Sequence, residues 1–182
     1  MLTNTPTHYG LVARAFHWLM ALFIIALLVQ GFWMTNLTYD HPWYNKALVI
    51  HDAFGVLAFL LFILRLVWRF YDPAPSYEEE LASWERWIAG TVHVLLYLLM
   101  GAIPITGYLI TTATGSPVSI FGWFELPALL GPQPGMEDMA GKIHLYLGLG
   151  MIFLVSMHVV ATLKHHFIDR NHALHRMIEF FH

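Results

Sequence analysis

The 182-residue chain is 58% hydrophobic, only 12% charged, and has a mean hydropathy of +0.58, whereas about a quarter of the residues of a soluble domain are charged. That is the composition of an integral membrane protein. Cysteine is absent, which excludes disulfides, iron–sulfur clusters and thiolate metal sites, while twelve histidines outnumber the nine lysines and arginines and leave imidazole as the obvious metal ligand.

Four apolar runs follow in chain order: about Leu11 to Thr35, Lys46 to Phe70, Ile88 to Thr112 and Gly141 to His166. Each reaches the roughly twenty residues that cross a hydrocarbon core. Backbone groups in lipid must be satisfied internally, so all four are expected to be helices. The first run is long, ends at an aromatic boundary and lacks a small-residue cleavage pattern, so it is expected to be a retained span rather than a removed signal peptide. The link "NLTYDHPWYN" reads as an interfacial turn. The next, "YDPAPSYEEELASWERW", passes from spaced prolines into an acidic amphipathic turn or two. The third, containing "GSPVSIFGWFELPALLGPQPG", is the longest, and its Phe121, Trp123, Phe124 and Leu126 are candidates for an aromatic belt at the membrane surface or for a cap over a site beneath. The tail "FIDRNHALHRMIEFFH" reads as a short interfacial helix. Nothing remains for a separate soluble unit, so residues 1–182 are expected to form one transmembrane domain, an all-α four-helix bundle.

Basic residues set the expected orientation. Arg14, Arg65, Arg69, Arg86, Lys164, Arg170 and Arg176 fall on one side of this topology, and only Lys46 and Lys142 fall on the other. By the positive-inside rule both termini are cytoplasmic. Net charge of −3 points to no partner, and no nucleic-acid binding is expected.

The fourth span contains "GKIHLYLGLGMIFLVSMHVV", with His144 and His158 fourteen residues apart. That spacing returns the side chain to nearly the same azimuth about 21 Å further along the helix. His51 and His144 share a depth near the outer ends of their spans. His17 and His158 share one near the inner ends. An unpaired polar group in hydrocarbon is costly, so each must face a partner, a cavity or a ligand. Any one of them alone reads as an interhelical hydrogen-bonding histidine; a matched set in two layers points to ligation. Structural zinc gathers four protein ligands, and the spans offer no acid beside these histidines apart from Asp52. Haem needs two axial ligands on opposite faces of a flat ring, and the two layers supply them twice: His51 with His144 outside, His17 with His158 inside. Gly55 and Gly148 each lie four residues after a candidate ligand, where a macrocycle can approach the backbone, although such glycines serve close helix packing equally well. With both axial positions filled, the natural chemistry is electron transfer. The chain has no nucleotide-binding fingerprint, so donor and acceptor come from outside it.

His93, near the inner end of the third span, is a supporting candidate for a propionate contact, a quinone pocket or a proton relay, and an alternative to His17 as ligand. Arg65, Arg69 and Arg86 are candidates to neutralise carboxylates of the inner haem. Lys46, Lys142 and His41 are the outer counterparts. Each reads equally as a side chain snorkelling from a helix end. Proton-handling groups for a quinone stand inside at His93, His158, His165 and His166, and outside at Asp52, Glu137 and Asp138. Lys46 and Lys142 would also present a local positive field to a small anionic reductant.

The segments "RAFHWLMALFIIALL", "VIHDAFGVLAFLLFILRLVWRF", "HVLLYLLMGAIPITGYL" and "GKIHLYLGLGMIFLVSMHVVATLKHHF" together resemble the bacterial cytochrome b561 family over residues 8 to 170. The resemblance implies an inner-membrane electron carrier with two b-type haems on His17, His51, His144 and His158, linked to ubiquinone. It implies, for at least some members, oxidation of periplasmic superoxide to dioxygen, a superoxide:ubiquinone oxidoreductase activity. Two other classes stand beside this reading: a cytochrome b anchor subunit relaying electrons for a partner dehydrogenase or hydrogenase, and a transporter whose paired histidines bind a metal ion or small molecule.

Overall fold

The computed structural model describes residues 1–75, 82–171 and 174–178. Its four long helices are α1 (Leu11–Met34), α2 (Tyr44–Tyr71), α3 (Ser83–Thr112) and α4 (Met136–Phe167), each long and apolar enough to cross a membrane. Large apolar side chains point away from the bundle all along them: Leu22 is 64% exposed, Leu98 62% and Val160 65%. Such a surface would associate in water and is solvated in lipid. The interior is a cluster of Met20, Leu61, Phe62, Met100 and Met151. Gly101 lets the Phe62 ring approach closely there, because a Cβ at that position would stand 3.2 Å from it.

Polar contacts at the helix ends fix an up-down-up-down topology. At one end the Asn4 amide donates to Asp72 Oδ2 (2.9 Å), Lys164 Nζ pairs with Glu85 Oε1 (2.6 Å), and Trp18 Nε1 donates to the Met177 carbonyl (2.9 Å). At the opposite end Thr111 Oγ1 donates to Asp52 Oδ2 (2.9 Å). Both termini therefore lie at the same end. α1 packs on α2, α3 on α4, and α2 against α3. Between α1 and α4 runs an open apolar groove of about 380 Å³, lined by Ile25, Val29, Phe32, Ile152 and Val155 among others.

Two helices start earlier than hydropathy alone predicts. α3 begins at Ser83 rather than near Ile88, where the Glu85 carboxylate accepts from the Ala82 amide (3.2 Å). α4 begins at Met136 rather than near Gly141, after Gly135 in the left-handed region (φ 81°), with Glu137 and Asp138 in the first turn, where the helix dipole favours acids. The segment between α3 and α4 folds into a small antiparallel hairpin, β1 (Val118–Ile120) with β2 (Phe124–Leu126), in the register Ile120 opposite Phe124. Its turn holds Phe121 and Gly122 at positive φ (52° and 73°). Val118 is buried and the Phe121 ring lies 5.5 Å from that of Phe54, so this side of the hairpin caps the bundle, whereas Trp123 and Phe124 face outward.

The expected acidic turn falls largely on residues 76–81, outside the described residues, as do residues 172, 173 and 179–182 of the expected C-terminal helix. Within that tail α5 (His175–Ile178) is helical. Just beyond α4, the Asp169 carboxylate is held below the usual carboxylate range by Lys164 and then by His165, both 2.6 Å away. The contact is therefore complete at neutral pH and lost only as acid protonates Asp169 through that lowered value.

Met20→Ala should lower stability in detergent by about 2 kcal/mol, near the bottom of the range for core truncations because lipid replaces water as the reference. Leu22→Ala should change it little, and thermal unfolding of the two variants compares them directly.

Candidate functional site

The two imidazole pairs expected from depth meet in the bundle. His51 on α2 faces His144 on α4, with ring centres 6.1 Å apart; His17 on α1 faces His158 on α4, with ring centres 6.2 Å apart. Two imidazoles on opposite sides of one metal ion, each with a nitrogen about 2 Å from it, would have ring centres about 6.3 Å apart. Both pairs match that span. His93 on α3 lies closer to His158, at 5.4 Å, which leaves less room for an ion between them, and unlike the other four it is exposed at the bundle surface. Met151, buried on α4 halfway between His144 and His158, packs with Met20, Leu61, Phe62 and Met100 into a buried apolar layer that separates the pairs.

The setting of each ring follows from local sequence. α3 carries Pro104-Ile105-Thr106-Gly107 opposite His144. His144 Nδ1 lies 3.0 Å from the Ile103 carbonyl and 3.1 Å from Thr106 Oγ1. The threonine hydroxyl already donates to the Ile103 carbonyl (2.8 Å), so both oxygens accept from an N–H at His144 Nδ1, and the lone pair is left on Nε2. A Cβ at Gly107 would come within 3.2 Å of His144 Cε1, so glycine there makes room for the ring. His51 is approached by Gly31 of α1, and its Nδ1 is buried with no hydrogen-bond partner. A nitrogen so placed in an apolar bundle has an unused coordinating lone pair or donor. His17 differs: its Nδ1 stands 3.2 Å from Arg65 Nη2, while Arg65 Nε donates to Tyr97 Oη (3.2 Å).

The other sequence candidates lie around these pairs. Arg65 reaches inward, whereas Arg69 and Arg86 are exposed. Lys46, over the Trp43 ring, and Lys142 are exposed at the far end from the termini. His41 Nδ1 accepts from the Trp43 amide, and Asp52 is held by Thr111. His165 pairs with Asp169, and the His166 ring lies tilted against that of His175, centres 4.9 Å apart. Glu85, His165 and Asp169 form a further group with metal-binding side chains, but the Lys164 ammonium sits 2.6 Å from both carboxylates and fills it. The groove between α1 and α4 has Ser156 as the polar residue of its lining and no titratable group, so it lacks what a quinone head needs to take up protons. Sequence reasoning assigned no role to Pro104–Gly107 of α3, and it missed Gly31 and Tyr97; these contacts depend on helix rotation, which spacing alone does not give.

Residues 8–180 match the profile of prokaryotic cytochrome b561. The chain belongs to the prokaryotic cytochrome b561 family. It is 42% identical over 176 residues to cytochrome b561 homolog 2 of Escherichia coli (strain K12), covering 97% of this chain and 94% of that protein. It is 26% identical over 174 residues to the probable superoxide oxidase CybB of Yersinia pestis (93% and 95% covered), and 25% identical over 171 residues to cytochrome b561 homolog 1 of Escherichia coli (strain K12; 89% and 92%). This cytochrome b561 chain is thus a multi-pass protein of the bacterial inner membrane with an electron-transfer role. Family members typically bind two haem b groups, and the residues here fit them: two facing imidazole pairs at the right separation, an orphaned ring nitrogen on His51, and open space where a Cβ at Gly55 or Gly148 would stand, with nothing within 4 Å.

Gly107→Val should displace the His144 ring from its socket while leaving helix content unchanged. The circular dichroism spectrum and the nitrogen chemical shifts of His144, compared with those of His158, read the two effects separately.

Proposed function

We propose that the chain is a stand-alone, single-domain transmembrane electron carrier, 1–182, that holds one haem b between His51 and His144 and a second between His17 and His158, and delivers electrons to ubiquinone. The observation that carries this reading is the pair of imidazole separations, 6.1 and 6.2 Å, each made by helices far apart in sequence and both sharing α4. A haem held by two of these imidazoles would supply one-electron chemistry.

The polypeptide's own part is to bind, orient and insulate. His144 is oriented by Ile103 and Thr106; the Met151 layer keeps water, and with it protons, out of the middle of the bundle. Seven basic residues gather at the end that carries both termini, which supports a cytoplasmic position for that end. His93, His165 and His166 there, and Asp52 at the opposite end, are the groups available to a quinone taking up protons. Arg69 and Arg86, exposed near the inner pair, are the candidates for carboxylates of the group bound there.

Superoxide is the donor this reading favours. The name of the Yersinia pestis relative supports it, and so do Lys46 and Lys142, exposed at the outer end where a small anion would arrive. The overall reaction balances as two superoxide anions, each losing one electron and leaving as dioxygen, against one ubiquinone that gains two electrons and two protons.

Purified alone, the protein should contain two low-spin haems per chain and reduce ubiquinone when superoxide is generated in the assay. His144→Ala should remove one spectral component and His158→Ala the other. Gly148→Leu should keep the helix content and lose the component that His144→Ala loses. One haem per chain, or loss of the same component in both histidine variants, contradicts the assignment. Haems without activity until another subunit is added indicates an anchor subunit, and a protein with no haem indicates a transporter.

A further inference from the structure

Two of the candidate ligands, His144 and His17, differ in what faces their Nδ1. His144 Nδ1 meets two acceptors, the Ile103 carbonyl (3.0 Å) and Thr106 Oγ1 (3.1 Å). A metal-bound imidazole whose other N–H donates to such oxygens becomes more basic and gives more electron density to the metal. His17 Nδ1 meets the Arg65 guanidinium at 3.2 Å. A guanidinium has five donors and no acceptor and keeps its charge at any working pH. Without a metal, His17 must therefore accept at Nδ1 and carry its proton on Nε2. Were His17 to hold a metal through Nε2, that proton would move to Nδ1, and the guanidinium would stay anchored through its Nε to Tyr97 Oη at 3.2 Å. The positive charge remains beside the ligand in either case.

We propose that Arg65 is a positioning residue that raises the reduction potential of the His17/His158 site above that of the His51/His144 site, so that an electron shared between the two sites resides at the end of the bundle carrying the termini. This inference rests on the haem reading above. The physical cause is a difference in local charge. A fixed cation near one site favours its reduced form, which carries one positive charge fewer, and in the low-dielectric interior that preference is strong. Electron-rich oxygens at His144 favour the oxidised form of the other site. Asp52, next to His51, adds an acidic side chain to that same layer. The equilibrium involves one electron and no proton: one site is oxidised as the other is reduced, and the buried residues between them, Met20, Leu61, Phe62, Met100 and Met151, carry no titratable side chain. If the termini are cytoplasmic, the bias points inward, away from a periplasmic donor.

The test is a spectroelectrochemical titration of the purified holoprotein, with each component assigned by its loss in His144→Ala or His158→Ala and its ligation followed by low-spin electron paramagnetic resonance. The wild-type component assigned to His17/His158 should have the higher potential. Arg65→Gln should shift the equilibrium between the sites about tenfold toward His51/His144, a fall of about 59 mV in the His17/His158 potential alone. Arg65→Lys, which keeps the charge, should restore most of the difference. Thr106→Val should raise the potential of the His51/His144 component by a smaller amount and leave the other unchanged. Equal or reversed wild-type potentials, or an Arg65→Gln shift common to both components, overturns the proposal. Because the wild-type order and the Thr106→Val shift are independent of Arg65→Gln, the proposal stays testable even if that variant loses haem. Absence of haem from the wild type would instead contradict the functional reading on which the proposal rests.

Discussion

An imidazole inside a hydrocarbon layer must have a partner, and the architecture of this bundle follows from four of them meeting across helices. α4 carries two on one face, His144 and His158, with Met151 buried between them. α2 brings His51 to the first and α1 brings His17 to the second. α3 supplies no member of either pair. It supports both instead, through the Ile103 and Thr106 socket for His144 and through Tyr97, which holds Arg65 against His17. The helix that lies outside the pairing thus determines how the rings are turned.

Charge and water are distributed in the same pattern. The middle of the bundle is methionine, leucine and phenylalanine, and most titratable side chains stand toward the ends. An electron can cross such a layer because it needs no polar path, whereas a proton cannot. Under the proposed function, chemistry that consumes or releases protons would be confined to the two ends, where Asp52 with Thr111 and the group of Lys164, His165 and Asp169 are already hydrogen-bonded. The hairpin after α3 closes one end through Val118 and Phe121 and leaves Trp123 and Phe124 outward, at the level where aromatic side chains favour a membrane–water boundary.

Much of this was legible in the amino-acid sequence because two periodic signals are strong. Length and apolarity identify the spans, and a fourteen-residue separation on one helix specifies a shared face, so the depth pairing of His17, His51, His144 and His158 could be read before any coordinates. Helix ends were less legible. Past the hydrocarbon edge, continuation depends on caps such as Glu85 to the Ala82 amide and on Gly135 at positive φ rather than on hydropathy. The β1–β2 hairpin has strands too short to leave an alternating pattern. Rotational contacts left no signal at all: nothing in the order of residues indicates that Arg65 turns inward to His17 while Arg69 faces out, or that Pro104–Gly107 of α3 lies against His144.

The relatives support the electron-transfer role for the family, and the two facing imidazole pairs are the feature of this chain on which the proposed haem reading rests. The central claim is that each pair shares one iron. The most direct measurement is iron per chain, combined with nitrogen-15 electron–nuclear double resonance on histidine-labelled protein. Two irons per chain, each coupled to two histidine nitrogens, is the predicted result. A single iron, or an iron with only one histidine nitrogen bound, would contradict the account.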